Sequence, residues 1–112
     1  MTTYSRVLKN SVIPQPNNDA MPITVTEITS PGCSHCARAR EFLKGKFKEL
    51  HPDVEVEYID VTTPQGMALV QKHMIFASPG ILINGELFST GGFDQEKFLK
   101  KIEEVKLSKQ SL

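Results

Sequence analysis

The chain has 112 residues, 13 Lys+Arg against 13 Asp+Glu, and 39% hydrophobic residues. That length suits one domain with one core, and the balanced charge argues against a nucleic-acid binder, which carries a basic excess or stripe. No apolar run approaches the roughly 20 residues of a membrane-spanning helix, and two cysteines are too few for a multi-bridge scaffold or a four-cysteine zinc site.

Residues 1–22 read as an N-terminal arm or extra element. Pro14, Pro16 and Pro22 flank Asn17-Asn18-Asp19. Proline lacks a donor and Asn and Asp favour turns, so residues 14–22 read as a loop. Val7-Leu8 to Val12-Ile13 suits an added strand or a short helix equally. From Ile23 the pattern sharpens into a domain expected to span residues 23–107, with a tail over 108–112. Ile23 to Thr29 is rich in β-branched residues and predicts a strand, which Ser30-Pro31-Gly32 ends. Cys36, Ala39, Leu43, Phe47 and Leu50 then fall on one helix face, with Arg38, Glu41, Lys44 and Lys48 on the other. Gly45 weakens that helix by about 1 kcal/mol relative to Ala.

Val54 to Ile59 alternates and predicts a second strand. Thr63 suits an N-cap and Pro64 a first helical residue, with Met67, Val70 and Met74 marking a short helix. Gly80-Ile81-Leu82-Ile83 and Glu86-Leu87-Phe88-Ser89 flank Asn84-Gly85, a hairpin turn because both residues tolerate positive φ. Asp94 suits the cap of a final helix, whose stripe is Phe98, Ile102 and Val105. The order βαβαββα implies a mixed α/β sheet: a helix crossover makes the first two strands parallel, the hairpin makes the last two antiparallel, and helices cover both faces.

The two cysteines sit three apart, in Cys33-Ser34-His35-Cys36. Random placement gives that spacing about 2% of the time. Cys33 falls at a strand end and a helix start, where unpaired N–H groups and the helix dipole stabilise a thiolate. Cys36 lies one turn further in, on the apolar face, and keeps its proton longer. That asymmetry suits thiol–disulfide exchange: Cys33 attacks a partner and Cys36 resolves the mixed disulfide. A charged His35 between them favours the thiolate, hence the reduced form, and makes the disulfide a stronger oxidant. His51 and His73 read as surface or satisfied residues.

With this strand–helix CxxC in hand, the sequence resembles the thioredoxin superfamily, and within it the glutaredoxin-like members. The resemblance runs from about Ile23 to Lys106. It rests on Thr29-Ser30-Pro31-Gly32-Cys33-Ser34-His35-Cys36, on Ala77-Ser78-Pro79-Gly80, and on Gly91-Gly92-Phe93-Asp94. It implies a thioredoxin fold with an N-terminal extension, and a cis peptide bond before Pro79, against the active-site disulfide. Ser78 would then offer backbone groups to an extended substrate. Glu27, six residues before Cys33, matches the buried acid of thioredoxin-like proteins and disulfide isomerases, which helps move the second cysteine's proton. Burial near Cys36 would raise its pKa and suit it to act as general base; an orientation to solvent at a strand edge suits it equally. Gly91, Gly92 and Asp94 resemble the glutaredoxin segment that holds the γ-glutamyl end of glutathione; a helix-capping turn explains them as well. The chain departs from both named subfamilies. Ser30 stands where glutaredoxins carry Lys, no aromatic lies inside the CxxC, and Gly32 replaces the thioredoxin Trp.

The expected function is that of a dithiol–disulfide oxidoreductase, a monomer acting on protein thiols and disulfides and recycled by a reductase. Its only cofactor would be the redox disulfide itself, with glutathione a candidate co-substrate. Neither nucleic acid nor a membrane is an expected partner. Two rivals use the same residues: a metal-binding or metal-carrier module built on Cys33 and Cys36, and a thioredoxin-like interaction or redox-sensor domain. Met1-Thr2-Thr3-Tyr4-Ser5-Arg6 leads into no apolar segment, so the expected location is cytoplasmic.

Overall fold

A computed structural model describes residues 22–110. The added element proposed within residues 1–21 lies outside that range. The described elements are β1 (Thr24–Thr29), α1 (Ser34–Lys44), α2 (Lys46–Leu50), β2 (Glu55–Asp60), α3 (Pro64–His73), β3 (Gly80–Ile83), β4 (Glu86–Thr90) and α4 (Gln95–Gln110). Two compact units divide the chain; one is residues 23–99, and the described part of the other is Pro22 with residues 100–110.

The four strands form one sheet in the order β2-β1-β3-β4. β1 pairs with β2 in parallel, Glu27 opposite Tyr58, and with β3 antiparallel, Glu27 opposite Ile81. β1 is therefore central, and whatever follows it leaves from the middle of the sheet. The β3–β4 hairpin turns at Asn84 (φ 51°) and Gly85 (φ 82°), as that dipeptide predicts. Asn84 also pins the hairpin to β1. Its N–H donates to the Thr24 carbonyl at 2.7 Å, and its Oδ1 accepts from the Thr24 N–H at 2.9 Å.

Alternation along β1 assigns its faces. Ile28 packs with Ile75 and Leu82, joined by Val61, Leu69 and Val70, so α3 covers this face. Val25 and Glu27 point the other way, toward α1. There Phe42, Phe47, Phe88, Phe93 and Phe98 form an aromatic cluster with neighbouring centroids 5.1–6.3 Å apart. Helices thus cover both faces of a mixed sheet, as the element order implies.

Two local expectations need correction. The helix read from Cys36 to Leu50 is two helices, because Gly45 leaves the helical region (φ −101°, ψ −97°). Leu50, expected on the apolar face, is 53% exposed beyond that break. Of the stripe expected for α3, Val70 faces the core, joined by Leu69 and the buried Gly66, whereas Met67 and the C-cap residue Met74 are exposed. Gly66 sets this rotation: a Cβ there would fall on the Asp60 carbonyl, so only glycine lets the helix approach β2 so closely. α4 runs to Gln110, and no Gly or Pro occurs after Gly92 to stop it earlier.

Candidate active site

The chain leaves β1 at Thr29 and turns through Gly32, whose φ of +72° favours glycine and is costly for a residue with a Cβ. That conformation accounts for glycine where thioredoxins carry Trp. Cys33 is the N-cap of α1, and its Sγ accepts a hydrogen bond from the Cys36 N–H at 3.1 Å. One of the free donors at the helix start thus points at the sulfur, the arrangement that stabilises a thiolate. Cys33 and Cys36 are disulfide-bonded, their Cα atoms 5.2 Å apart. Cys33 is partly exposed and Cys36 fully buried. His35 lies between them on the exposed side of the first turn.

Pro79 reaches the same end of the sheet. β3 begins at Gly80, opposite Ile28 of β1, so Ser78 and Pro79 lie beside the segment that leads into Cys33. The Ser78–Pro79 bond is cis. The Gly91 N–H donates to the carbonyls of both Ala77 and Pro79, at 3.1 and 3.0 Å, and so ties this loop to the end of β4. Asp94 caps α4: its Oδ1 accepts from the Lys97 N–H at 3.0 Å. Gly92 and Asp94 line an open pocket of about 680 Å³ with Phe88, Ser89, Phe93 and Lys97. Of the expected γ-glutamyl contacts, the Gly91 amide and the Asp94 carboxylate already have partners within the fold.

Glu27 is completely buried on the α1 face of β1, and neither carboxyl oxygen has a hydrogen-bond partner among the described residues. Burial raises its pKa from 4.5 to about 7, against the opposing pull of Arg40 and Lys44. Burial also pushes the Tyr58 hydroxyl up, with Glu27 adding to the rise. Arg40 and Tyr58 were not singled out from the sequence, and Lys44 was assigned to the outer face. The available signal was the i, i+4 spacing of the two cations; it does not say which strand they overlie.

Three comparisons place these features. The model of the thioredoxin domain family matches residues 21–104. The chain belongs to the thioredoxin family. A thioredoxin of Methanocaldococcus jannaschii is 32% identical over 80 residues, covering 71% of this chain and 92% of the relative. The fold is shared with oxidised mitochondrial thioredoxin 3 of Saccharomyces cerevisiae (TM-score 0.60, 19% identity, 78% of this chain and 82% of the other). It is shared also with a structure of ferredoxin:thioredoxin reductase in complex with thioredoxin f2 (TM-score 0.58, 20% identity, 75% and 77%). Family membership and the Cys33–Cys36 pair make this thioredoxin-family chain a dithiol–disulfide oxidoreductase. The metal-carrier rival is not favoured by this family membership. Nor is any described helix long and apolar enough to cross a membrane.

Proposed function

We propose that Cys33 is the attacking thiol and Cys36 the resolving thiol of an exchange with protein disulfides. The observation that carries this assignment is the contrast at the start of α1. Cys33 is partly exposed and receives the Cys36 N–H, while Cys36 is fully buried. In the reductive direction the Cys33 thiolate attacks a sulfur of the partner's disulfide, forming a mixed disulfide and releasing one partner thiolate. Glu27 then accepts the Cys36 proton. The Cys36 thiolate attacks Cys33 Sγ, closing the intramolecular disulfide and releasing the partner's second thiolate, which takes a proton from water. Two electrons pass to the partner, and a reductase restores the dithiol.

Ser78 and Pro79 flank the attacked sulfur in this reading, with the Ser78 backbone pairing to an extended partner segment. His35 favours the thiolate when charged. Complex formation between a thioredoxin and its reductase in a fold neighbour supports a protein reductase as the recycling partner. Glutathione is the weaker co-substrate reading, because Gly91 and Asp94 are engaged within the fold. The family and the domain's size support a cytoplasmic monomer. The test is turnover of a disulfide-bonded protein with dithiothreitol as reductant. Cys33→Ser abolishes it; full turnover by that variant would remove the assignment.

A further inference from the structure

Arg40 and Lys44 stand one turn apart on α1, Arg40 half-buried and Lys44 exposed. Lys44 Nζ lies 5.2 Å from the centroid of the Tyr58 ring. Tyr58 is the β2 residue in register with Glu27 on β1. That contact fixes how α1 is turned: the edge carrying both cations overlies the β1–β2 pair at the level of Glu27. The other neighbours supply no competing charge. Across β1 on the β3 side stands Ile81, the inward residues of α1 are Cys36, Ala39, Phe42 and Leu43, and the start of α4 contributes Phe98 to this layer. Glu57 of β2 is turned to the opposite face, where its Oε2 accepts from Thr26 Oγ1 at 2.7 Å. Among the described residues, the charged and titratable groups facing Glu27 are thus Arg40, Lys44 and Tyr58, together with Cys36, whose proton Glu27 is read to accept.

We propose that Arg40 and Lys44 form a cationic edge that favours the carboxylate of Glu27 and so sets how readily it takes the Cys36 proton, with the Tyr58 ring closing that edge to water. Both cations act through Glu27 and are positioning residues. The proposal rests on the reading of Glu27 as the proton acceptor. A fully buried carboxylate with no hydrogen-bond donor among the described residues needs a nearby positive charge to exist at neutral pH. Arg40 and Lys44 are the charges that oppose its burial, Arg40 the stronger. Without them the carboxyl holds its proton and resolution slows at neutral pH.

The experiment uses the full-length reduced protein as wild type, as the Arg40→Gln/Lys44→Gln double variant, and as Arg38→Gln. The last removes a positive charge from the exposed side of the same helix. Carbon-detected NMR follows the Glu27 carboxyl through its titration, and stopped-flow measurement follows the resolution step against pH. The double variant raises the carboxyl midpoint by about one unit and moves the rate profile to higher pH by the same interval. Arg38→Gln moves neither, and Arg40→Lys with Lys44→Arg restores both. A midpoint in the double variant equal to that of Arg38→Gln overturns the cationic edge. A midpoint that rises while Glu27→Gln exchanges as fast as wild type overturns instead the assignment of Glu27 as base.

Discussion

At the scale of single residues, the chemistry depends on where protons reside. Cys33 accepts a helix N–H, and Glu27 is a carboxyl without a donor among the described residues. The Glu27 environment has a cost in stability with a definite sign. Its pKa is raised from 4.5 to about 7 in the folded state, so below pH 4.5 both states hold the proton and no penalty exists. As pH rises toward 7 the unfolded chain ionises and the folded one does not. Stability therefore falls over that window, by up to about 3 kcal/mol. Urea unfolding of wild type and Glu27→Gln at pH 5 and pH 8 checks this: the variant loses the decline. His35 gives a second prediction. His35→Ala moves the potential of the Cys33–Cys36 couple to more reducing values, measured by equilibration against a glutathione buffer; an unchanged potential removes His35 from the mechanism. Glu27 was legible because a lone acid is anomalous in a strand of Ile, Val and Thr. Arg40 and Lys44 were not: spacing placed Cys36, Ala39 and Leu43 inward, as they are, but not the burial of Phe42 beside them, and it does not say which strand the helix edge overlies.

At the scale of elements, the close packing of α3 against the end of β2 is the most demanding local feature. Helix-interior Gly→Ala substitutions ordinarily gain about 1 kcal/mol of helix propensity. Gly66→Ala instead destabilises by about 1–3 kcal/mol, since its methyl would displace the Asp60 backbone; thermal unfolding measures the difference. The N-terminus of α3 followed from its sequence, and the structure has the Thr63 hydroxyl accepting from the Gly66 N–H at 3.0 Å with Pro64 in the first turn. Its inward face followed only in part. Val70 faces the core as its place in the apolar spacing suggests, but the contact at Gly66 brings Leu69 in beside it and leaves Met67 and Met74 exposed. The Gly45 break was equally hidden. A penalty of about 1 kcal/mol is tolerable inside a helix, so the apolar spacing continues smoothly across a residue where the backbone in fact departs from it.

At the scale of the whole molecule, β1 at the centre of the sheet delivers Cys33 to one end, and β3 returns Ser78 and Pro79 to that same end. Gly91 ties the third segment to them through the carbonyls of Ala77 and Pro79. The element order, the hairpin and the position of the cysteine pair were all legible, because each follows from short-range signals: β-branched runs, Asn-Gly, and a strand–helix CxxC. The capping role of Asp94 was legible too, but the engagement of Gly91 was not, since a backbone amide's partner is invisible in a residue pattern. Division of labour between the two sulfurs is what the site as a whole is built to produce. Incubation of Cys36→Ser with a disulfide-bonded protein, followed by non-reducing mass spectrometry, measures it directly. The expected product is a stable adduct of the two proteins joined through Cys33, with none formed by Cys33→Ser. An adduct through Cys36 in Cys33→Ser, together with none in Cys36→Ser, would contradict the assignment of attack to Cys33.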